Sequence, residues 1–130
     1  MNSSPKDSQR YFELRETQKE LVRCSAPGRA GIIGNPTDMY GGAVLSCSVG
    51  MRARVTVSPA PELVLETCGE RLSISDRSDL HPAGDHFDVA RAILDYMQLP
   101  DLACRVRYES EIPMGSGLAG STALVVAFLH

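Results

Sequence analysis

The stretch of residues 112–123 limits the possible folds of this chain more than any other segment. It reads Ile-Pro-Met-Gly-Ser-Gly-Leu-Ala-Gly-Ser-Thr-Ala and joins a strand-like run to a helix-like run with almost no side-chain bulk between them. Glycine adopts positive φ at little cost, so Gly115, Gly117 and Gly120 allow successive N–H groups to turn toward one point. A helix that begins near Leu118 directs its positive end to the same point, and protein chains bind phosphate in this way.

The glycine spacing alone leaves two interpretations of this turn open. A Walker A loop needs a lysine after the glycines, and a dinucleotide-binding fingerprint needs an acidic residue further on. Neither residue type follows in positions 121–130. The turn is therefore either a phosphate-binding turn of another kind or a tight strand-to-helix connection whose glycines only permit close packing.

Two residue strings together resemble the signatures of one enzyme superfamily. Residues 113–123 resemble the phosphate-binding signature of the GHMP kinases, which include galactokinase, homoserine kinase, mevalonate kinase and phosphomevalonate kinase. Residues 26–42, which read APGRAGIIGNPTDMYGG, resemble the amino-terminal signature of the same superfamily, especially of its sugar kinases. Galactokinases carry an acidic residue and a histidine in place of Asn35-Pro36, and the string from Gly34 to Asp38 is closer to that of plant glucuronokinases.

The resemblance implies an α+β fold like the second domain of ribosomal protein S5, a mostly antiparallel sheet with helices on one face. We assign residues 1–20 to an amino-terminal tail or short helix. Residues 21–130 are assigned to the ATP-binding amino-terminal domain of a GHMP kinase, incomplete and truncated at the carboxyl end.

Hydrophobic periodicity predicts the individual elements. Alternation over residues 51–75 indicates an antiparallel meander with one solvated face, after a first strand at residues 21–26 that Pro27-Gly28 ends. Asp85 is expected to cap a helix whose apolar stripe extends from Phe87 to Met97, and residues 76–84 are expected to form a polar loop. A strand near residues 102–109 then leads into the glycine turn.

The resemblance also implies roles for individual residues. The turn wraps the ATP triphosphate through Pro113, Gly115, Ser116, Gly117, Leu118, Ala119, Gly120 and Ser121, and Ser121 helps to hold Mg²⁺. Arg29 stabilises the transferring phosphoryl group as the catalytic residue, because a guanidinium matches charge spread over phosphoryl oxygens. Asp38, with Asn35 beside it, binds sugar hydroxyls, since a carboxylate accepts two charge-assisted hydrogen bonds.

Structural interpretations of the same residues stay open. The structural alternative for Ser121 and Thr122 is a hydrogen bond to a carbonyl four residues earlier in a helix, over which the motif favours the ligand role, and the alternative for Asp38 is an Asx turn. Arg29 suits a surface ion pair. Arg52 and Arg54, on the polar face of the next strand, are candidates to meet the carboxylate of a sugar acid. His86 and Asp88 are interpreted as residues of a helix start rather than as metal ligands.

Composition excludes several classes of partner. The net charge of −3 and the lack of a basic cluster argue against a nucleic-acid surface. No apolar run approaches the roughly 20 residues that cross a bilayer, and the polar residues 1–20 favour a cytoplasmic protein. The four cysteines are scattered without a C-x-x-C pair, so we expect buried free thiols rather than disulfides or a zinc site.

The resemblance to GHMP kinases implies an ATP- and Mg²⁺-dependent kinase that phosphorylates a hydroxyl of a small sugar or sugar acid, with glucuronate as a candidate. The superfamily's catalytic base and third glycine-rich motif normally lie beyond position 130, so the chain is expected to bind nucleotide without catalysing transfer by itself. The alternative is a non-catalytic binding domain, or pseudokinase fragment, on the same scaffold.

Overall fold

The computed structural model describes residues 22–99 and 102–130, and the expected tail at residues 1–20 lies outside them. The described residues form five strands, which are β1 (Val22–Ile33), β2 (Leu45–Pro59), β3 (Leu63–Thr67), β4 (Glu70–Ile74) and β5 (Cys104–Ser110). They also form two α-helices, α1 (Asp88–Met97) and α2 (Gly120–Leu129), and two short 3-10 helices at Thr37–Tyr40 and Arg77–Leu80.

The strands form one mixed sheet in the order β1-β2-β5-β3-β4. Three neighbouring pairs are antiparallel, and β3 and β5 are parallel. The expected α+β fold with a mostly antiparallel sheet is confirmed, but the expected meander is wrong, because β5 lies between β2 and β3. Alternation in the sequence determines which face of a strand is buried, and it does not determine which strand lies beside it.

Both helices cover the same face of the sheet, as expected. Val57 of β2 and Leu65 of β3 both pair with Val106 of β5, so these side chains form one row across the sheet. The buried cluster on this face joins strand residues to residues of both helices, and it consists of Ala26, Ala53, Val55, Leu63, Leu65, Ile74, Leu80, Phe87, Ala90, Leu94, Val106, Tyr108, Ile112, Ala123 and Ala127. Since α2 contributes alanines, its backbone lies close to the sheet.

Strand β1 does not end at Pro27-Gly28, and that prediction is wrong. It continues to Ile33 with a shift in its pairing with β2 between Pro27 and Arg29. Because β1 is an edge strand, Pro27 has no neighbour on one side that would need its missing N–H. Strand β5 pairs with β2 only from Ala53 onward, so residues 29–48 form a two-stranded arm beyond the body of the sheet.

Three smaller predictions also need correction. Helix α1 begins at Asp88, with Phe87 rather than Asp85 at the N-cap position, and Met97 is 42% exposed instead of buried. The expected polar loop contains the second 3-10 helix, where Asp76 forms a capping box and Leu80 is buried. All four cysteines are free, but none is buried, and Cys47 and Cys68 are exposed.

No helix among residues 22–99 and 102–130 has the length and apolar character needed to cross a membrane.

Candidate functional site

The glycine turn between β5 and α2 has an open surface and a strained backbone. Gly115 and Gly117 have φ of 69° and 73°, and Ala119, the N-cap residue of α2, is also left-handed with φ of 57°. A Cβ added at Gly115 or Gly117 would meet no heavy atom within 4 Å, so these positions require glycine for its backbone freedom rather than for space. No side chain caps the start of α2, which leaves its first N–H groups available to a ligand.

The serines of the turn have different surroundings. The Ser116 hydroxyl donates to the Pro113 carbonyl at 2.7 Å and accepts a weak hydrogen bond of 3.4 Å from the Leu118 N–H, so it closes the turn on itself. Ser121 is exposed at the start of α2. Its hydroxyl and that of Thr122 make no hydrogen bond with the part of the chain that the structure describes, so the back-bonding that we considered for both is not seen there.

The turn lines a large open cleft, about 1100 Å³ in volume. Its opposite wall is the β3–β4 hairpin turn at Cys68-Gly69, together with Asp85, His86 and Val89 around the start of α1. The position of the cleft follows from the sheet, because the parallel pairing of β3 with β5 ends at Glu66 and Arg107. Ligand sites of sheets with parallel strands commonly lie at such carboxyl ends.

Arg91 of α1 holds the loop that forms the far wall. It is 5% exposed, and its guanidinium donates to both carboxylate oxygens of Asp85 at 2.6 and 3.0 Å and to Asp88 at 2.7 Å. The hydrogen bond from Arg91 is the main reason why the pKa of Asp85 is lowered. The pKa of Asp88 is lowered chiefly by the N–H of Ala83, which donates to its carboxylate at 2.8 Å.

Tyr108 of β5 ties the same loop to the sheet. Its hydroxyl donates to the His86 carbonyl at 2.9 Å, and its ring packs edge-to-face on Phe128, with 5.2 Å between ring centroids. Burial raises the pKa of the Tyr108 phenol. This wall is hard to predict from the sequence, because Arg91 resembles a solvated residue of an amphipathic helix. The available signal was the pair of aspartates three and six residues before it.

Glu111, directly before the turn, is fixed to β2. Its carboxylate accepts hydrogen bonds from the Arg54 guanidinium at 2.6 Å and from the Arg52 N–H at 3.0 Å, and the first of these is the main cause of its lowered pKa. The side chain of Arg52 donates to Ser25 of β1. Both guanidiniums, which we expected to be candidates for a substrate carboxylate, therefore have protein partners.

The two signature strings meet at the turn. The Arg29 N–H donates to the Leu118 carbonyl at 2.8 Å, and Gly28 is buried against the same peptide. The side chain of Arg29 is exposed and forms no ion pair with another described residue. The backbone of the proposed catalytic residue is thus fixed beside the glycine turn, while its side chain faces solvent.

Asn35 and Asp38 lie on the arm and do not line the cleft. The arm loop is organised around Thr37, whose hydroxyl donates to the Gly34 carbonyl and whose own carbonyl accepts from the Gly42 N–H at 2.8 Å. The Asp38 carboxylate accepts a hydrogen bond from the Met39 N–H at 3.1 Å, and the residue is exposed. The structure therefore brings the Arg29 backbone and the glycine turn together, while no hydrogen bond among the described residues joins Asn35 or Asp38 to the turn.

Two family descriptions match the sequence. Residues 10–59 match the galactokinase galactose-binding signature, and residues 86–130 match the GHMP kinases N terminal domain. A mevalonate kinase of Archaeoglobus fulgidus is 30% identical over 108 residues, which are 79% of this chain and 34% of that protein. A galactokinase of Chloroflexus aggregans is 29% identical over 131 residues, which are 92% of this chain and 32% of that protein.

Solved structures show the same fold. The Methanococcus jannaschii mevalonate kinase matches with a TM-score of 0.68 and 15% identity over 85% of this chain and 38% of its own. The Lactococcus lactis galactokinase complexed with galactose matches with a TM-score of 0.67 and 20% identity over 92% of this chain and 34% of its own. The chain spans about a third of the length of the curated relatives it matches. With two signatures of one superfamily matched in sequence and joined in space at Arg29 and Leu118, the chain belongs to the GHMP kinase superfamily.

Proposed function

We propose that this chain provides the nucleotide-binding and substrate-binding parts of an ATP-dependent small-molecule kinase, which transfers the γ-phosphoryl group of ATP to a hydroxyl of a sugar or sugar acid. The observation that carries the proposal is the hydrogen bond that joins the Arg29 backbone to the glycine turn, because this turn lines the cleft. Relatives named as galactokinases and mevalonate kinases support the same class of reaction.

The turn is suited to the phosphates of ATP. The first N–H groups of α2 lack a side-chain cap, and the helix places partial positive charge at the same end. The space above Gly115 and Gly117 is open, so a phosphate has access to the backbone. Binding of this kind positions the reacting group, and positioning together with charge neutralisation accounts for most of phosphoryl-transfer catalysis.

Ser121 is the residue that we assign to Mg²⁺. The described residues contain no group of three His, Cys, Asp or Glu side chains that fits a metal ion. Mg²⁺ at nucleotide sites binds mainly phosphate and water oxygens, and a serine or threonine hydroxyl of a phosphate-binding loop is a known ligand, so the exposed Ser121 hydroxyl fits it. When bound, the ion neutralises charge on the phosphates, while Ser121 orients it at the helix start.

Arg29 and the arm supply the remaining contacts. Arg29 neutralises charge on the transferring group, because its guanidinium extends from a backbone fixed at the turn and has no other ion partner among the described residues. Asp38 and Asn35 bind substrate hydroxyls. A glucuronate preference rests on the sequence around Asn35 alone, since a substrate carboxylate would have to displace Glu111 to reach Arg54.

Nucleotide binding is tested by titrating Mg-ATP into the protein and into Gly117→Val. A β-branched residue is strained at φ of 73° and would add bulk where the phosphate approaches, so we expect binding to be lost. Gly50→Ala is the matched control, because a Cβ there would meet nothing within 4 Å and its φ is not left-handed. Equal affinities for all three proteins would mean that the turn is only structural.

The substrate class is tested with the complete protein and a panel of galactose, glucose, glucuronate and mevalonate, with ADP release as the measurement. Asp38→Asn is expected to raise KM for the preferred sugar and to leave Mg-ATP binding unchanged, because it removes the charge and one acceptor oxygen. Asp95→Asn, in an exposed pair with Arg77, is the control. Tight nucleotide binding without ADP release on any substrate would favour the non-catalytic alternative.

A further inference from the structure

We propose that Gly28 is a positioning residue, which couples the arm to the glycine turn by allowing β1 to pack directly on the Leu118 carbonyl. This inference rests on the proposed nucleotide-binding function. It assigns to Gly28 a role that neither its buried position nor its membership in the first signature specifies.

Space, rather than backbone conformation, requires glycine at position 28. A Cβ there would lie 2.9 Å from Val49 Cγ2, 3.0 Å from the Leu118 carbonyl oxygen and 3.2 Å from Ile112 Cδ1. Its φ lies outside the left-handed region, so an alanine would have no conformational penalty. Val49 and Ile112 present side chains that are able to move, whereas the Leu118 oxygen belongs to the backbone of the turn.

The contact orients a peptide unit within the glycine turn. The Leu118 carbonyl points toward β1, where it accepts the hydrogen bond from Arg29. In a planar trans peptide the N–H lies opposite the carbonyl, so the Ala119 N–H points away from β1. Ala119, which follows this peptide, is left-handed, and alanine keeps that conformation only where surrounding contacts hold it, so the orientation of the peptide depends on its partners. Gly28 and Arg29 are such partners.

Ile112, just after β5, packs on the other side of the glycine turn from β1. A Cβ added to Gly120 would lie 3.3 Å from Ile112 Cγ2, so the first residue of α2 also lies close to Ile112. Ile112 itself is 5% exposed and approaches Gly28 through Cδ1. The turn is therefore held between β1 and the end of β5, and a methyl group at position 28 would displace it together with the Arg29 backbone.

The test compares Gly28→Ala, Val49→Ala, the double variant and the control Gly50→Ala by Mg-ATP titration, urea unfolding and amide exchange of Arg29. We expect Gly28→Ala to weaken Mg-ATP binding about tenfold, the loss of roughly one charge-assisted contact, and to speed exchange of the Arg29 amide. Val49→Ala removes the closest side-chain atom from the added methyl group. In the double variant the effects on unfolding should be less than additive, while the loss of affinity persists, because the Leu118 oxygen is still displaced.

Restored affinity in the double variant would overturn the proposal, since it would show that Gly28 acts through core packing alone. Unchanged affinity in Gly28→Ala would overturn it as well. If Gly28→Ala alone fails to fold, the double variant provides the same comparison with Val49→Ala. Failure of the proposed function is distinguishable from these results, because the wild-type protein would then bind no Mg-ATP, whereas the exchange rate of the Arg29 amide would still report on the contact.

Discussion

Replacing Arg91 with methionine should destabilise the protein through the loop that forms the far wall of the cleft. Methionine fills part of the space of the arginine side chain but leaves Asp85 and Asp88 facing each other without their common cation. Breaking a buried ion pair by removing one partner typically costs about 3–5 kcal/mol. Arg91 is 5% exposed, but the charges that remain in the variant belong to two partly exposed carboxylates, so this range is an upper limit.

The expected loss for Arg91→Met lies below this range, at about 2 kcal/mol, for two reasons. The side chains of Asp85 and Asp88 are 39% and 30% exposed, so water can reach them. Both carboxylates also keep backbone donors, which are Phe87 N–H for Asp85 and Ala83 and Gly84 N–H for Asp88. Urea unfolding at neutral pH measures the loss, and Arg77→Met, in an exposed ion pair, is the control with an expected effect below about 1 kcal/mol.

The pH dependence of the free energy of unfolding distinguishes the electrostatic contribution of Arg91 from its packing contribution. Folding lowers the pKa of Asp85 and Asp88, so their contribution to the free energy of unfolding is fully present above the ordinary aspartate pKa of about 3.9 and is lost as pH falls through the lower folded values. Arg91→Met removes the main cause of the Asp85 shift. The stability difference between wild type and variant should therefore shrink between about pH 5 and pH 2. A constant difference would refute the electrostatic explanation and would point to the packing of Arg91 on Phe87.

Two further changes test the turn and its supports. Ser121→Ala should weaken Mg-ATP binding about tenfold without changing the urea midpoint, because the Ser121 hydroxyl has no described protein partner. An equal loss of affinity in Thr122→Ala would argue against a specific metal contact. Tyr108→Phe should lower the free energy of unfolding by about 1–2 kcal/mol, because the His86 carbonyl loses its donor while the ring keeps its packing on Phe128. Unchanged urea unfolding would mean that water replaces the hydroxyl.

The alternation of apolar and polar residues predicted which side of a strand is buried. The alternation of Ala53 and Val55, and of Val106 and Tyr108, identified the buried side of β2 and β5, because successive strand residues point to opposite faces. The glycine turn was also predictable from the sequence, since glycine adopts the positive φ of Gly115 and Gly117 at little cost. The left-handed conformation of Ala119 was not predictable, because an alanine adopts it only where surrounding contacts hold it there.

Other features depended on pairing and packing between distant segments. The continuation of β1 past Pro27 depends on its position at the sheet edge, and the insertion of β5 between β2 and β3 depends on contacts far apart in sequence. The wall built around Arg91 required Asp85 to turn back toward α1.

The sequence by itself determined the two signatures that identify the family, the side chains that are candidates for the site and the glycines that allow the turn. Tertiary structure alone decided that Gly28 and Arg29 lie against Leu118, because the space between two strands and a turn is a property of their packing.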